Sequence, residues 1–148
     1  MNRVIEGIDG IRIGVHVCRG NWSRQEGVHL SGDYGPMLPA LTAMQPRQFV
    51  LEYSTPRAGD IDVVGRALKD RELGLGVVNP RTAEVETPER IIAQVESALR
   101  YFAPGQVFLN PDCGFGTFAH RCVNDAPTAT RKLKAMVRAA DTLRARYG

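Results

Sequence analysis

What most limits the fold of this chain is a fourfold alternation. Four short runs rich in β-branched residues span Ile11 to Val17, Gln48 to Glu52, Leu73 to Val78 and Gln106 to Asn110. Each is followed by Gly, Pro, Asn or Asp, the pattern of strands that stop at turns. Helical periodicity lies between and after them. From Pro88 to Phe102, the residues Ile91, Ile92, Val95, Ala98, Leu99 and Phe102 form one stripe. Thr87 is placed to cap that helix, Pro88 suits its first turn, and Gly105 follows its end. A last helix, about Pro127 to Arg146, would bury Leu133, Met136, Val137, Ala140 and Leu143. Shorter helical stretches are expected over Pro36–Met44 and Asp60–Lys69.

Strands alternating with helices imply parallel pairing and right-handed crossovers, an α/β chain. Four βα units make a small open sheet, and they are also half of an eightfold barrel, which takes about 250 residues. The opening "MNRVIEGIDG" reads as the tail of a helix leading into the first strand, as in a chain cut from something larger. On this ground alone a small open sheet and a partial, half TIM barrel of four parallel βα units both stay open, in either case with residues 1–148 forming a single domain. The longest irregular stretch, residues 19–35, follows the first strand, on the side where α/β proteins carry their sites.

Lys and Arg number 19 against 16 Asp and Glu, a formal charge of +3. Much of the excess sits in "RKLKAMVRAADTLRARYG", which reads as a solvated helix face. A nucleic-acid binder would show a denser patch or a known motif, so no such partner is expected. No charged-then-apolar leader is evident, and no apolar run approaches the roughly 18 residues that span a bilayer, so no membrane partner is expected either. Three cysteines without a leader argue against a disulfide framework and for a reducing cytoplasm. There the question about Cys18, Cys113 and Cys122 is metal binding or catalysis.

In "RIGVHVCRGNW", His16 and Cys18 sit two apart on a strand and point the same way. Glu52 ends the second strand in "FVLEYS", and Cys113 follows the fourth in "VFLNPDCGFG". In a parallel sheet these ends share one edge. An imidazole, two thiolates and a carboxylate are donors that suit tetrahedral Zn²⁺. On the residues alone a second reading stays open, a packed core cysteine beside a satisfied histidine. Glu52 resists it, because a carboxylate ending an apolar strand needs a cation or a metal. A second H-x-C, His120 and Cys122, falls where the pair does not converge and reads as a surface feature.

Together, "HVCRGNW", "LEYS", "LGLGVVNPRTAEVETPERI" and "FLNPDCGFGT" resemble the C-terminal half of the catalytic barrel of the cobalamin-independent methionine synthase family. The likeness is closer to its short single-barrel relatives, which share "CRGN". The resemblance implies one zinc ion at the C-terminal mouth of a TIM barrel, with ligands matching His16, Cys18, Glu52 and Cys113. It implies that the thiol of homocysteine joins the metal, loses its proton and attacks the methyl group on N5 of a methyltetrahydrofolate, giving methionine. The chemistry agrees. A thiol with a pKa of about 8.5 is mostly protonated at neutral pH, and coordination to a cation removes the proton. Two thiolates and a carboxylate outweigh the charge of zinc, and a net anionic site keeps a bound thiolate electron-rich.

Two departures qualify the likeness. The longer synthases carry a proton-donating histidine after the third of these strands, where this chain has Arg81. An arginine is no ordinary general acid, since its pKa exceeds about 12, but it can bind an anionic group. The methyl donor is therefore open between a methyltetrahydrofolate and a methylated corrinoid. Second, the first half of the barrel is missing; if this is the whole protein, a second copy in a homodimer or a separate N-terminal half-barrel chain would supply it, and a truncated gene product is the alternative. Asp112 is expected to orient a ligand or a substrate amine, and Arg81 to contact substrate. Trp22 and Tyr34 read as core or pocket wall, and Arg19 and Arg57 as solvated or as facing the mouth. The expected activity is zinc-dependent methyl transfer to homocysteine in an assembled barrel. The rivals are alkyl transfer to another thiol such as coenzyme M, and an inactive zinc-binding fragment or subunit.

Overall fold

The computed structural model describes residues 1–148 apart from 117 and 119 and the side chain of Glu26. Strands β1 (Gly14–Val17), β2 (Gln48–Leu51), β3 (Glu72–Val78) and β4 (Val107–Pro111) form one parallel sheet in the order β1-β2-β3-β4. The order never reverses, so every right-handed crossover lays its helix on the same face. Helices α2 (Leu38–Ala43), α3 (Ile61–Leu68), α4 (Pro88–Ala98) and α5 (Ala126–Tyr147) accordingly form a single layer, each packed on the next. A doubly wound sheet would carry helices on both faces. This one is an arc of barrel wall, one of the two forms the alternation allows. A short helix α1 (Asn2–Ile5) precedes β1, and the Asn2 side chain ties it to Ala43 and Gln45. That matches the helix tail read in the opening residues.

The core lies between sheet and helices. Phe49, Leu51, Leu73, Leu75 and Val77 pack with Ile61, Val64, Leu68, Ile91, Val95, Ala98, Ala139 and Leu143. The helices start where side-chain oxygens take up free amides. Asp60 accepts from Asp62 N, Thr87 from Arg90 N, and Asp125 from Thr128 N. Helix α4 ends at Ala98 rather than Phe102, and the chain turns so that Phe102 is still buried. Strand β1 is shorter than its apolar run, because pairing with β2 begins only at Gly14.

The opposite face of the sheet would be the barrel interior. His16, Val50, Gly74 and Phe108 share one register row there, and His16 is exposed. Below that row, Glu72 pairs with Arg12 and Arg47 at 3.0 and 2.5 Å. Among the described residues β1 and β4 each leave one edge unpaired. Helix α5 is turned from the expected register: Leu133 and Val137, expected in the core, are exposed, while the basic run is solvated with one exception. Lys132 is fully buried and pairs with Glu86 at 3.0 Å, tying α5 to the loop that precedes α4. Among the described residues no helix is long and apolar enough to cross a membrane.

Leu51, wholly buried on the helix side just before Glu52, tests this core. Leu51→Ala is expected to lower unfolding free energy by about 2–5 kcal/mol, read by urea or thermal denaturation.

Candidate metal centre

All four donor side chains lie at the C-terminal rim of the sheet. His16 and Cys18 leave the end of β1 on one face, Glu52 follows β2, and Cys113 follows β4. Their donor atoms all lie within 4.8 Å of one another. Cys18 Sγ is 3.4 Å from Cys113 Sγ, which lies 3.6 Å from His16 Nε2 and 3.1 Å from Glu52 Oε1. Tetrahedral zinc with arms of about 2.0–2.3 Å has donor–donor edges of about 3.3–3.8 Å, so this spacing fits such an ion.

Each donor is oriented by a partner. His16 Nδ1 lies 3.0 Å from the carbonyl of Val50. A carbonyl only accepts, so the proton is on Nδ1 and Nε2 is left with its lone pair toward the cluster. Cys18 Sγ accepts the Gly20 amide at 3.4 Å. That turn needs glycine, with φ at +111° and the Trp22 and His29 rings crowding any side chain.

Glu52 is 1% exposed and held throughout. Its Oε1 accepts the Arg19 amide at 3.0 Å, and its Oε2 pairs with Arg57 at 3.0 Å. Its own amide donates to Tyr34 Oη at 2.9 Å, and Tyr34 donates back to the Glu52 carbonyl at 3.2 Å. Burial pushes the Tyr34 pKa up, so the phenol keeps the proton that bond requires. The Arg19 guanidinium stacks 4.4 Å from the Tyr34 ring and reaches Gly32 and the Glu52 carbonyl. Without a cation the Cys113 thiol is pushed well above its ordinary pKa. Burial is the main cause, with hydrogen bonds to Glu52 and Cys18 and their charge adding to it.

The remaining residues singled out in the sequence fall differently. Tyr34 is core, whereas Trp22 is half exposed, its ring 5.0 Å from His29. Arg19 and Arg57 are built into the Glu52 site rather than left solvated. His120 and Cys122 are exposed. The expectation that Asp112 and Arg81 meet a substrate encounters another geometry. They are 1% and 0% exposed and pair with each other at 3.3 Å. Burial raises the Asp112 pKa, against the hydrogen bonds from Ser54 and the charge of Arg81.

A match to the family described as cobalamin-independent synthase, catalytic domain, runs over residues 9–142. The chain belongs to that family. Its relatives include proteins named methionine synthase from Pyrococcus abyssi, 31% identical, and Thermococcus kodakarensis, 29% identical, each aligned over 97% of this chain. The chain spans 37% of the length of either relative. Among solved structures, a B12-independent methionine synthase from a Shewanella species in complex with selenomethionine superposes with a TM-score of 0.81 at 18% identity. The match covers 99% of this chain and 42% of that one, which shows the fold to be a partial barrel.

Sequence reasoning passed over Arg57 as a partner of Glu52, and Gly76. The local signal for the glycine was "LGLG", since glycine inside a buried strand marks a close approach. In chelator at pH 8, iodoacetamide should modify exposed Cys122 first and Cys113 last, because Cys113 is half buried and little of it is thiolate. Peptide mass spectrometry checks this, and Glu52→Gln should speed Cys113 by removing the adjacent charge.

Proposed function

We propose that this chain is the C-terminal, metal-holding half of a zinc-dependent S-methyltransferase that methylates the thiol of homocysteine to give methionine. The observation that carries this reading is the convergence of His16, Cys18, Glu52 and Cys113 at tetrahedral spacing in a member of this family. The names of the relatives, methionine synthases, support the choice of reaction.

Zinc held there would supply the positive charge that keeps a substrate thiol deprotonated at neutral pH. The chain's own residues do the rest. His16 presents Nε2 because Val50 holds its other nitrogen. Cys18 and Cys113 add thiolate charge, and Arg57 on Oε2 leaves Oε1 of Glu52 as the donor facing the thiols. The centre is thus anionic, which favours an electron-rich sulfur nucleophile over polarisation of a carbonyl. Arg81 is buried against Asp112 and cannot serve as an ordinary general acid, which keeps both a methyltetrahydrofolate and a methylated corrinoid in view as methyl donor.

The reaction belongs to the assembled barrel. His16 and Cys18 are exposed on the inner face, and both sheet edges are open among the described residues, where a closed barrel would place its other wall. The other wall is a half-barrel of βα units, whether a further stretch of the same polypeptide, a separate N-terminal chain or a second copy of this one. The open inner face also favours a second reading, an inert metal-holding subunit.

Metal titration of the chelator-stripped chain is expected to give one Zn²⁺ or Co²⁺ per chain, with the cobalt form showing tetrahedral bands and thiolate charge transfer. His16→Ala and Cys113→Ser should each weaken binding by about 100-fold or more. Added homocysteine should strengthen the charge-transfer band. A cobalt spectrum that no small thiol moves would sink the transferase reading and leave the inert subunit. Turnover by a chain that sediments as a monomer would refute the need for a partner.

A further inference from the structure

Two of the four donors stand on strands that do not touch. β3 lies between β2 and β4, yet Glu52 Oε1 and Cys113 Sγ are 3.1 Å apart above it. The side chain bridging the two ends is Asp112, one residue before Cys113. Its Oδ1 accepts the amides of Tyr53 and Ser54, both at 2.9 Å, the two residues directly after Glu52. Its Oδ2 accepts the Ser54 hydroxyl at 2.5 Å and Arg81 Nη2 at 3.3 Å. Its own amide donates to the carbonyl of Val78 at 2.9 Å, fastening the same residue to β3. One buried residue, through its carboxylate and its amide, therefore joins the ends of three strands.

The bridge crosses β3 at Gly76. A Cβ there would lie 2.2 Å from Asp112 Oδ1 and 2.8 Å from the Leu51 carbonyl, which is backbone and cannot swing aside. Arg81 backs the carboxylate from the loop between β3 and α4, and that loop is itself held. Asn124 donates to the carbonyls of Pro80 and Thr82 at 2.6 and 2.7 Å. Glu86 accepts the Asn79 amide at 2.8 Å while paired with buried Lys132.

We propose that Asp112, backed by Arg81 and admitted by Gly76, is a positioning residue that sets the Glu52–Cys113 spacing and through it the affinity and geometry of the metal centre. The inference rests on the reading of the four donors as a metal site. Residues that orient metal ligands change affinity by about 10–100-fold when altered. Asp112→Asn keeps the shape but removes the charge facing Arg81. Gly76→Ala disturbs the same carboxylate by contact alone, with no change in charge.

The test is competitive Zn²⁺ titration together with the Co²⁺ absorption spectrum of each purified chain, with circular dichroism to confirm the fold. Wild type is expected to bind one ion. Asp112→Asn and Gly76→Ala should each bind about 10–100-fold more weakly, with shifted cobalt bands at unchanged helix content. Ser54→Ala, which removes one donor and leaves the packing intact, should show a smaller loss in the same direction and covers the case in which the other two variants misfold. Folded variants with wild-type affinity and spectrum overturn this inference alone. A wild-type chain that takes up no metal overturns the metal reading, and this inference with it.

Discussion

A carboxylate buried at the end of an apolar strand must be compensated, and the rim of this sheet is organised around that requirement. Glu52 is almost wholly removed from solvent. It is met by a backbone amide from the β1 loop, a guanidinium from the turn after β2, and a thiol from the end of β4. A buried charge missing one such partner is strongly destabilising, so each of these segments is held in place by the need to reach it. The long loop after β1 is drawn in the same way. Arg19 lies over Tyr34, and Tyr34 closes a reciprocal pair of hydrogen bonds with the Glu52 backbone. Structural demand and the proposed metal site therefore meet in one residue.

The two faces of the sheet have different standing. The helix side is a finished core, with residues such as Leu51, Val64 and Ile91 fully enclosed. The inner side is a wall without its opposite. Barrel interiors are filled by side chains from all eight strands. Here the row of His16, Val50, Gly74 and Phe108 faces no opposing strand among the described residues, with only the Arg12 guanidinium over the Phe108 ring. Every donor the chain contributes is nonetheless assembled within this half. Bringing the four side chains together thus needs only this half, whereas enclosing them needs closure.

Much of this was legible in the residues. The period of two along a strand puts His16 and Cys18 on one face, and a parallel sheet gathers strand ends on one rim. Those two rules lead to the four donors. The basic run near the C-terminus misled at Lys132, because helix periodicity does not reveal that one position of α5 meets Glu86 from a loop 46 residues earlier. Arg57 was equally opaque. It is only five residues from Glu52, but the turn at Pro56–Ala58 decides that its guanidinium folds back. Arg81 and Asp112 carry side chains common in solvated loops, and their burial follows from strands β2, β3 and β4 stacking their ends together.

By itself the sequence determined the alternation of elements, their parallel sense and which four side chains meet at one rim, since local periodicity and the direction of side chains along a strand are set by near neighbours. Only the tertiary structure decided which charges pair, which nitrogen of His16 is left to bind, and that a glycine in β3 lets one carboxylate tie Glu52 to Cys113. Those outcomes depend on distances of a few ångströms between residues tens of positions apart, and no local pattern encodes them.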